Sequence, residues 1–162
     1  MDKTNKRLII IIIILLLLLI GALLYIFIFK PHNNTSPILP EDESAVEWQG
    51  EQPPNRLPTG QKGIAIPGFK SLVFVANEKS QKVNFYNPES NDCLFLMTLY
   101  VNDSALWKSG YCKAGKGYYD IELNRVLSAG EYPAYLKIQC FKDTGAELNG
   151  ARVDFNLIVK ER

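Results

Sequence analysis

Residues 8–29 constrain this chain more than any other stretch, because they are apolar without interruption. None of these residues is charged or proline, and only Gly21, Ala22 and Tyr25 differ from Leu, Ile and Phe. As an α-helix the stretch would be about 33 Å long, enough to cross a hydrocarbon core of roughly 30 Å. The sequence therefore predicts a transmembrane helix over residues 8–29.

The charges around this stretch predict its orientation. Lys3, Lys6 and Arg7 precede it, with only Asp2 opposing them, whereas acidic residues dominate from residue 41 to residue 51. The positive-inside rule places residues 1–7 in the cytoplasm and everything after the helix outside the cell. The apolar stretch is longer than a secretory h-region and no small-residue cleavage site follows it, so an uncleaved signal anchor is favoured over a cleaved, secreted form.

Residues 30–62 differ in composition from the residues on either side. They contain six of the nine prolines, together with most of the acidic stretch. Their apolar residues are sparse and follow no sustained period, so they cannot bury enough surface to offset the entropy lost on ordering. The composition predicts a flexible, semi-extended stalk over residues 30–62.

Residues 63–162 have the pattern of an all-β domain. Short β-branched and aromatic runs alternate with Gly, Asn, Asp and Pro, which is typical of a β-sandwich of about seven to eight antiparallel strands. We predict strands over residues 64–66, 71–76, 81–86, 93–101, 105–108, 118–123, 132–141 and 153–160. The last two strands are expected to form a hairpin.

The period of two assigns the faces of the long strands. One face of residues 132–141 is predicted to be core, with Tyr132, Ala134, Leu136, Ile138 and Cys140. The other face carries Pro133, Tyr135, Lys137, Gln139 and Phe141. In residues 93–101 the predicted core positions are Cys93, Phe95, Met97, Leu99 and Val101.

Residues 127–132 carry a family resemblance. A Leu, a tight Gly turn and then Tyr132 opening a long strand resemble the tyrosine corner of immunoglobulin-like sandwiches. Further matching pieces lie at residues 87–93, 106–109, 121–123 and 148–151. The set, over residues 64–160, resembles small membrane-anchored, extracytoplasmic proteins of Gram-positive bacteria whose function is unassigned. The resemblance implies an immunoglobulin-like fold, in which the Tyr132 hydroxyl bonds to the backbone just upstream, and no catalytic residues.

Three cysteines lie in the exported part of the chain. An odd count allows at most one internal disulfide. Cys93 and Cys140 both fall on predicted core faces of long strands, so they form one candidate pair, while Cys112 lies in a loop from which it can also reach Cys93. The alternative is three unpaired, buried thiols that pack as small apolar groups.

The inventory of side chains argues against several classes of function. The only histidine, His32, lies in the predicted stalk, so the domain lacks a Ser-His or Cys-His pair. No closely spaced cysteines or histidines suggest a metal site, and no phosphate-binding loop suggests a cofactor. The formal net charge of +1 shows no basic excess for nucleic acid. We expect no enzyme activity, no metal and no cofactor; a hydrolase remains the least favoured reading.

Interaction is the remaining use for such a domain. Aromatic residues near loops or on the predicted outer face form a candidate contact surface, consisting of Trp107, Tyr119, Tyr135 and Phe141. Trp107 also suits the core, and Tyr135 and Phe141 are the better surface candidates. We expect a structural or interaction module in a bacterial envelope assembly. The alternative is a module that binds glycan or a small ligand at the cell surface.

Overall fold

The computed structural model describes residues 12–21, 25, 39–52 and 63–162. The chain divides into two compact units, Met1–Thr35 and Ser36–Arg162. In the first unit, residues 12–21 and Tyr25 are helical. The predicted cytoplasmic residues 1–7 and the rest of the predicted span lie outside the described residues. Within the described part of the chain, no helix is both long and apolar enough to cross a membrane.

The second unit consists of β-strands and their connections. In chain order the strands are β1 (Val46–Glu47), β2 (Ser71–Val75), β3 (Ser80–Tyr86), β4 (Leu94–Val101), β5 (Ser104–Cys112), β6 (Lys116–Glu122), β7 (Gly130–Phe141) and β8 (Glu147–Lys160). They form a three-stranded sheet, ordered β1-β6-β3, and a five-stranded sheet, ordered β2-β8-β7-β4-β5. The predicted all-β fold is confirmed at the level of two sheets.

The pairings within the sheets follow from the local sequence. β7 and β8 pair antiparallel over nearly their whole length, which confirms the predicted final hairpin. Asn102 and Asp103 turn β4 into β5 with φ angles of 49° and 58°, a conformation that Asn and Asp tolerate in two-residue hairpin loops. β2 departs from the antiparallel pattern, because it pairs with β8 in parallel. The strand predicted over residues 64–66 is irregular chain instead.

The hydrophobic core lies between the two sheets. The predicted inward positions of β4 and β7 are buried, including Phe95, Met97, Leu99, Leu136 and Ile138. Aromatic rings join the sheets: the ring of Trp107 on β5 lies 5.8 Å from that of Phe85 on β3 and 5.1 Å from that of Tyr118 on β6. At the start of β7, the Tyr132 hydroxyl donates a hydrogen bond to the carbonyl of Ser128 over 3.0 Å.

Residues 39–52, here called the strap, pack against the edge where β5 leads into β6. Val46 and Glu47 pair with Gly117 and Lys116 of β6, and Glu41 forms a β-bridge with Tyr111 at the end of β5. The prediction of a flexible stalk is therefore wrong for residues 39–52. Residues 30–38 and 53–62 of that prediction lie outside the described residues. The folded domain accordingly includes the strap and is not limited to residues 63–162.

The Asp42 carboxylate fixes the first half of the strap. It accepts hydrogen bonds from the Tyr118 hydroxyl at 2.8 Å, the Gly110 backbone N–H at 2.6 Å and both the N–H and hydroxyl of Ser44. A side chain at Gly110 would collide with Asp42, since its Cβ would lie 2.9 Å from that of Asp42. Glycine at position 110 thus allows the strap to approach β5 closely.

An aromatic stack fixes the second half of the strap. The Trp48 ring lies between those of Tyr86 and Tyr119, with centroids 4.4 Å and 4.8 Å away and nearly parallel planes. The Gln49 backbone N–H donates to the Tyr119 hydroxyl over 2.7 Å. Together with the Asp42 hydrogen bonds, this stack holds an acidic segment on the domain surface.

The hydrogen bonds that Asp42 accepts predict a loss of stability when this residue is replaced. Asp42→Asn removes the charge and one acceptor oxygen, so we expect the free energy of unfolding to fall by about 1–2 kcal/mol in urea titrations. Glu43→Gln, at an exposed position of the same strap, is the matched control and should leave the free energy unchanged. Equal effects of the two substitutions would contradict a stabilising role for the Asp42 hydrogen bonds.

The same carboxylate predicts a pH dependence. Burial opposes ionisation of Asp42, but the hydrogen bonds from Ser44, Tyr118 and Gly110 outweigh it and lower the pKa below the ordinary value of 3.8. A carboxylate with a lowered folded pKa stabilises the fold above its unfolded pKa, and this contribution is lost as the pH falls through the folded pKa. The difference in stability between the wild-type chain and Asp42→Asn should therefore shrink below about pH 4.

Candidate interaction surface

The side of the five-stranded sheet that faces away from the core, here called the outer face, carries the candidate site. The strand register places its side chains: inward residues of β4 and β7 are buried, so the residues between them point outward. Across β5, β4, β7 and β8 the outer face presents Lys108, Tyr111, Leu94, Leu96, Thr98, Tyr100, Tyr135, Lys137, Gln139, Phe141, Arg152 and Asp154.

Tyr135 lies at the centre of a stacked cluster on this face. Its ring stacks on that of Tyr100, with centroids 4.7 Å apart, and the Arg152 guanidinium carbon lies 3.6 Å from its centroid. Asp154 holds the guanidinium in place through a 2.8 Å hydrogen bond from Nε. Desolvation and the charge of Asp103 raise the pKa of the Tyr135 phenol. Tyr100 on β4 and Arg152 on β8 thus cover the Tyr135 ring from the two strands that flank β7.

A second, apolar cluster lies further along the same strands. Tyr111 and Phe141 meet edge to face, with ring centroids 5.4 Å apart. Leu96 pairs with Tyr111, and Leu94 pairs with Phe141. Tyr111, Phe141 and Leu96 are half-buried, so they leave an apolar area in contact with solvent.

A row of four aligned residues, three of them cationic, crosses the outer face from the Tyr135 cluster to β5. The register aligns Arg152, Lys137, Thr98 and Lys108 across four strands. Thr98 is only 6% exposed, which means that the flanking side chains cover it. Arg152 is ion-paired with Asp154, whereas Lys108 and Lys137 have no ion pair within the described residues. The outer face therefore combines aromatic anchors with two uncompensated positive charges.

A shallow depression opens beside this row. It has a volume of about 440 Å³ and is lined by residues of β7 and β8, among them Tyr135, Lys137, Gln139, Glu147 and Arg152. The depression is open to solvent and is lined by both positively and negatively charged side chains. It can accept a small polar group or one side chain of a partner.

The structure separates the four residues predicted as a contact surface. Tyr135 and Phe141 lie on the outer face, as expected from the strand period. Trp107 is 9% exposed and belongs to the core, which confirms the core alternative for this residue and removes it from the contact surface. Tyr119 lies on the other sheet, half-covered by Trp48. Trp107 and Tyr119 therefore do not join Tyr135 in one site.

Sequence reasoning missed Tyr100 and Arg152. Each falls on an outward position of its strand, but only the pairing register shows that they meet Tyr135. Tyr100 is opposite Tyr135, and Arg152 is opposite Lys137. A period of two gives the face, whereas the partner across the sheet depends on which strands are neighbours.

The cysteines take no part in the outer face. Cys93, Cys112 and Cys140 are all free and buried in the structure. The disulfide considered between Cys93 and Cys140 stays a prediction. Cys93 immediately precedes β4, and Cys140 lies on the neighbouring strand β7. Both thiols are buried, and a hydrogen bond from Cys140 lowers the pKa of Cys93. Cys112 donates instead to the carbonyl of Lys116 over 3.3 Å.

Neither a metal site nor a known relative indicates the function of the outer face. Within the described residues, no group of three or more His, Cys, Asp or Glu side chains could hold a metal ion. No protein-family model, no curated protein and no solved structure matches the chain. The side chains of the outer face are therefore the basis for any functional proposal.

The environment of Cys112 predicts an unreactive thiol. Burial raises its pKa to about 12, so its thiolate fraction near neutral pH should be roughly a thousandfold below that of an ordinary thiol. We expect iodoacetamide at pH 8 to label Cys112 at least about a hundredfold more slowly in the folded chain than in urea, as followed by peptide mass spectrometry. Similar rates in both states would contradict this placement of Cys112.

Proposed function

We propose that this chain is a single-pass, membrane-anchored protein whose extracytoplasmic domain is an interaction module of an envelope assembly. The outer face is the surface that binds the partner. One observation carries this proposal: a stacked Tyr100–Tyr135–Arg152 cluster lies on the same sheet face as the apolar Tyr111–Phe141 cluster. No catalytic role is assigned to either cluster.

The composition of the outer face suits a protein partner. Tyr and Arg are enriched among the residues that contribute most binding energy at protein interfaces. Tyr135 is already held by Tyr100 on one side and Arg152 on the other, so little side-chain entropy remains to be lost on binding. Such a preorganised anchor favours binding to a protein surface.

We further propose that the fold is immunoglobulin-like. The parallel pairing of β2 with β8 in an otherwise antiparallel arrangement supports this assignment. The hydrogen bond from the Tyr132 hydroxyl to the Ser128 carbonyl supports it as well, since a tyrosine corner bonds to the backbone in this way. The fold type by itself carries no function.

The membrane anchor is part of the same proposal. In residues 12–20, every side chain is Leu or Ile and is exposed, so this helical segment is apolar on all sides. Helices of this kind are buried in protein or in lipid. Lys3, Lys6 and Arg7 before the segment support a cytoplasmic N-terminus.

The proposed orientation predicts the result of protease treatment. Protease added to intact cells or protoplasts should digest residues 63–162 and spare a cytoplasmic tag fused to the N-terminus. Detection uses antibodies against a tag at each end, with a cytoplasmic protein as the integrity control. A C-terminal tag that survives in intact cells but is digested after lysis would contradict the orientation.

The proposed binding surface predicts a selective loss of partner. After mild cross-linking in cells, the wild-type chain should be recovered in a complex, and Tyr135→Ala should reduce recovery at least about tenfold because it deletes a central aromatic anchor. Lys82→Ala, at an exposed ion pair on the other sheet, is the matched control. Circular dichroism checks that both variants fold. Unchanged recovery with folded Tyr135→Ala, or recovery of monomer alone from the wild type, would refute the surface.

The depression beside Lys137 favours one second candidate, a glycan or small-ligand binding module. Its volume of about 440 Å³ is sufficient for a small sugar, and Gln139 and Glu147 offer polar contacts. This candidate ranks second because Tyr100 and Arg152 cover the Tyr135 ring, which is therefore not free to stack on a sugar. Retention on purified cell wall that is lost in Gln139→Ala would favour it over the protein partner.

A further inference from the structure

The strap carries an acidic outward side that its own docking does not use. Glu43, Glu47 and Glu51 are exposed, and none of them forms an ion pair within the described residues. Val46, next to Glu47, is also exposed, at 49%. The side-chain contacts that hold the strap come from other residues: Asp42, Trp48 and Glu41, which pairs with Lys113 and Lys116.

The outer face carries positive charges that complement the acidic side chains of the strap. Lys108 and Lys137 lie on strands separated by β4 and have no ion pair within the described part of the chain. Next to them is the half-buried apolar cluster of Leu96, Tyr111 and Phe141. The unpaired cations of the outer face match the unpaired carboxylates of the strap in charge.

We infer that the outer face binds the strap of a second copy of this chain, pairing Glu43 and Glu47 with Lys108 and Lys137. This inference rests on the proposed function, because it names the occupant of the same surface. Glu47 holds the strap to its own domain only through its backbone pairing with β6, so its carboxylate, like that of Glu43, is not used in docking the strap. Association therefore needs no unfolding of either copy.

The separation of the two lysines agrees with the separation of the two glutamates. Two strand spacings separate Lys108 from Lys137, which is about 10 Å. Four residues separate Glu43 from Glu47, at most about 13 Å when fully extended, and the turn at Glu43 and Ser44 shortens this distance. Lys and Glu side chains are long enough to absorb the remaining difference.

The charges also explain why the contact is between copies. Within one chain the strap is fixed against β6 and the end of β5, and neither Lys108 nor Lys137 pairs with it. Exposed ion pairs are individually weak and are screened by salt. The association should therefore be weak in solution, salt-sensitive, and strengthened when copies are confined to one membrane.

The test uses the full chain, reconstituted in lipid vesicles from an equal mixture of ¹⁴N- and ¹⁵N-labelled protein. A carbodiimide joins a carboxylate to an amine only when the two groups touch. Mass spectrometry should find peptides that join Glu43 or Glu47 of one isotope to Lys108 or Lys137 of the other. Raising the salt from about 50 mM to 500 mM should reduce these mixed-isotope peptides several-fold.

Charge reversal provides the decisive arm. Chains carrying K108E/K137E, or E43K/E47K, should each lose at least about tenfold of their self-association, measured by co-purification of an untagged copy with a tagged one, because each brings like charges together. Mixing the two variants should restore association between them, as measured by co-purification through a tag on one variant. K82E, on the other sheet, is the matched control and should associate like the wild type.

Two results overturn the inference. One is a wild-type chain that gives only single-isotope products between these residues, and the other is a mixture of reversed variants that fails to associate when each variant is folded. If the wild type does not self-associate but still loses its cellular complex on Tyr135→Ala, the outer face binds a different protein. The proposed function then stands, and the identity of the occupant is wrong.

Discussion

The buried inner faces of β4 and β7 determine the rest of the structure. Phe95, Met97, Leu99, Leu136 and Ile138 are 0–1% exposed, and fully burying such a side chain contributes about 1.5–3 kcal/mol. Because strand residues alternate, this burial fixes the register of the two central strands. A slip of one residue would bury Lys137 and expose Leu136. The same alternation that builds the core therefore places Tyr100, Tyr135 and Lys137 together on the outside.

The strap covers an edge of the smaller sheet that would otherwise be open. Without β1, strand β6 would be an edge strand with unpaired backbone groups. The strap pairs with β6 and β5, and its carboxylates at Glu41 and Asp42 meet Lys113, Lys116, Tyr118 and the Gly110 backbone. Hydrogen bonds and ion pairs hold the first half of the strap and the Trp48 stack holds the second, while Ala45 is its only buried residue in the core. Its acidic composition is thus compatible with a folded place on the domain.

These two parts show what the sequence could and could not predict. The long strands were predictable because alternation and turn residues are local signals: Asn102 and Asp103 mark a hairpin, and residues 130–160 alternate strongly. The strap was missed because proline and acidic residues predict an unfolded stalk, while its partners, such as Asp42 and Tyr118, are 76 residues apart. Tyr119 was misplaced for the same reason. Whether an aromatic side chain is covered depends on which distant segment packs on it.

The central claim is that the outer face, and not the opposite sheet, is the contact surface of this domain in the cell. The most direct measurement replaces Tyr135, Phe141 or, on the other sheet, Lys82 with a photo-cross-linking amino acid in living cells. The account predicts discrete cross-linked species from positions 135 and 141 and none from position 82 after irradiation. Cross-links from position 82, with none from positions 135 and 141, would contradict it.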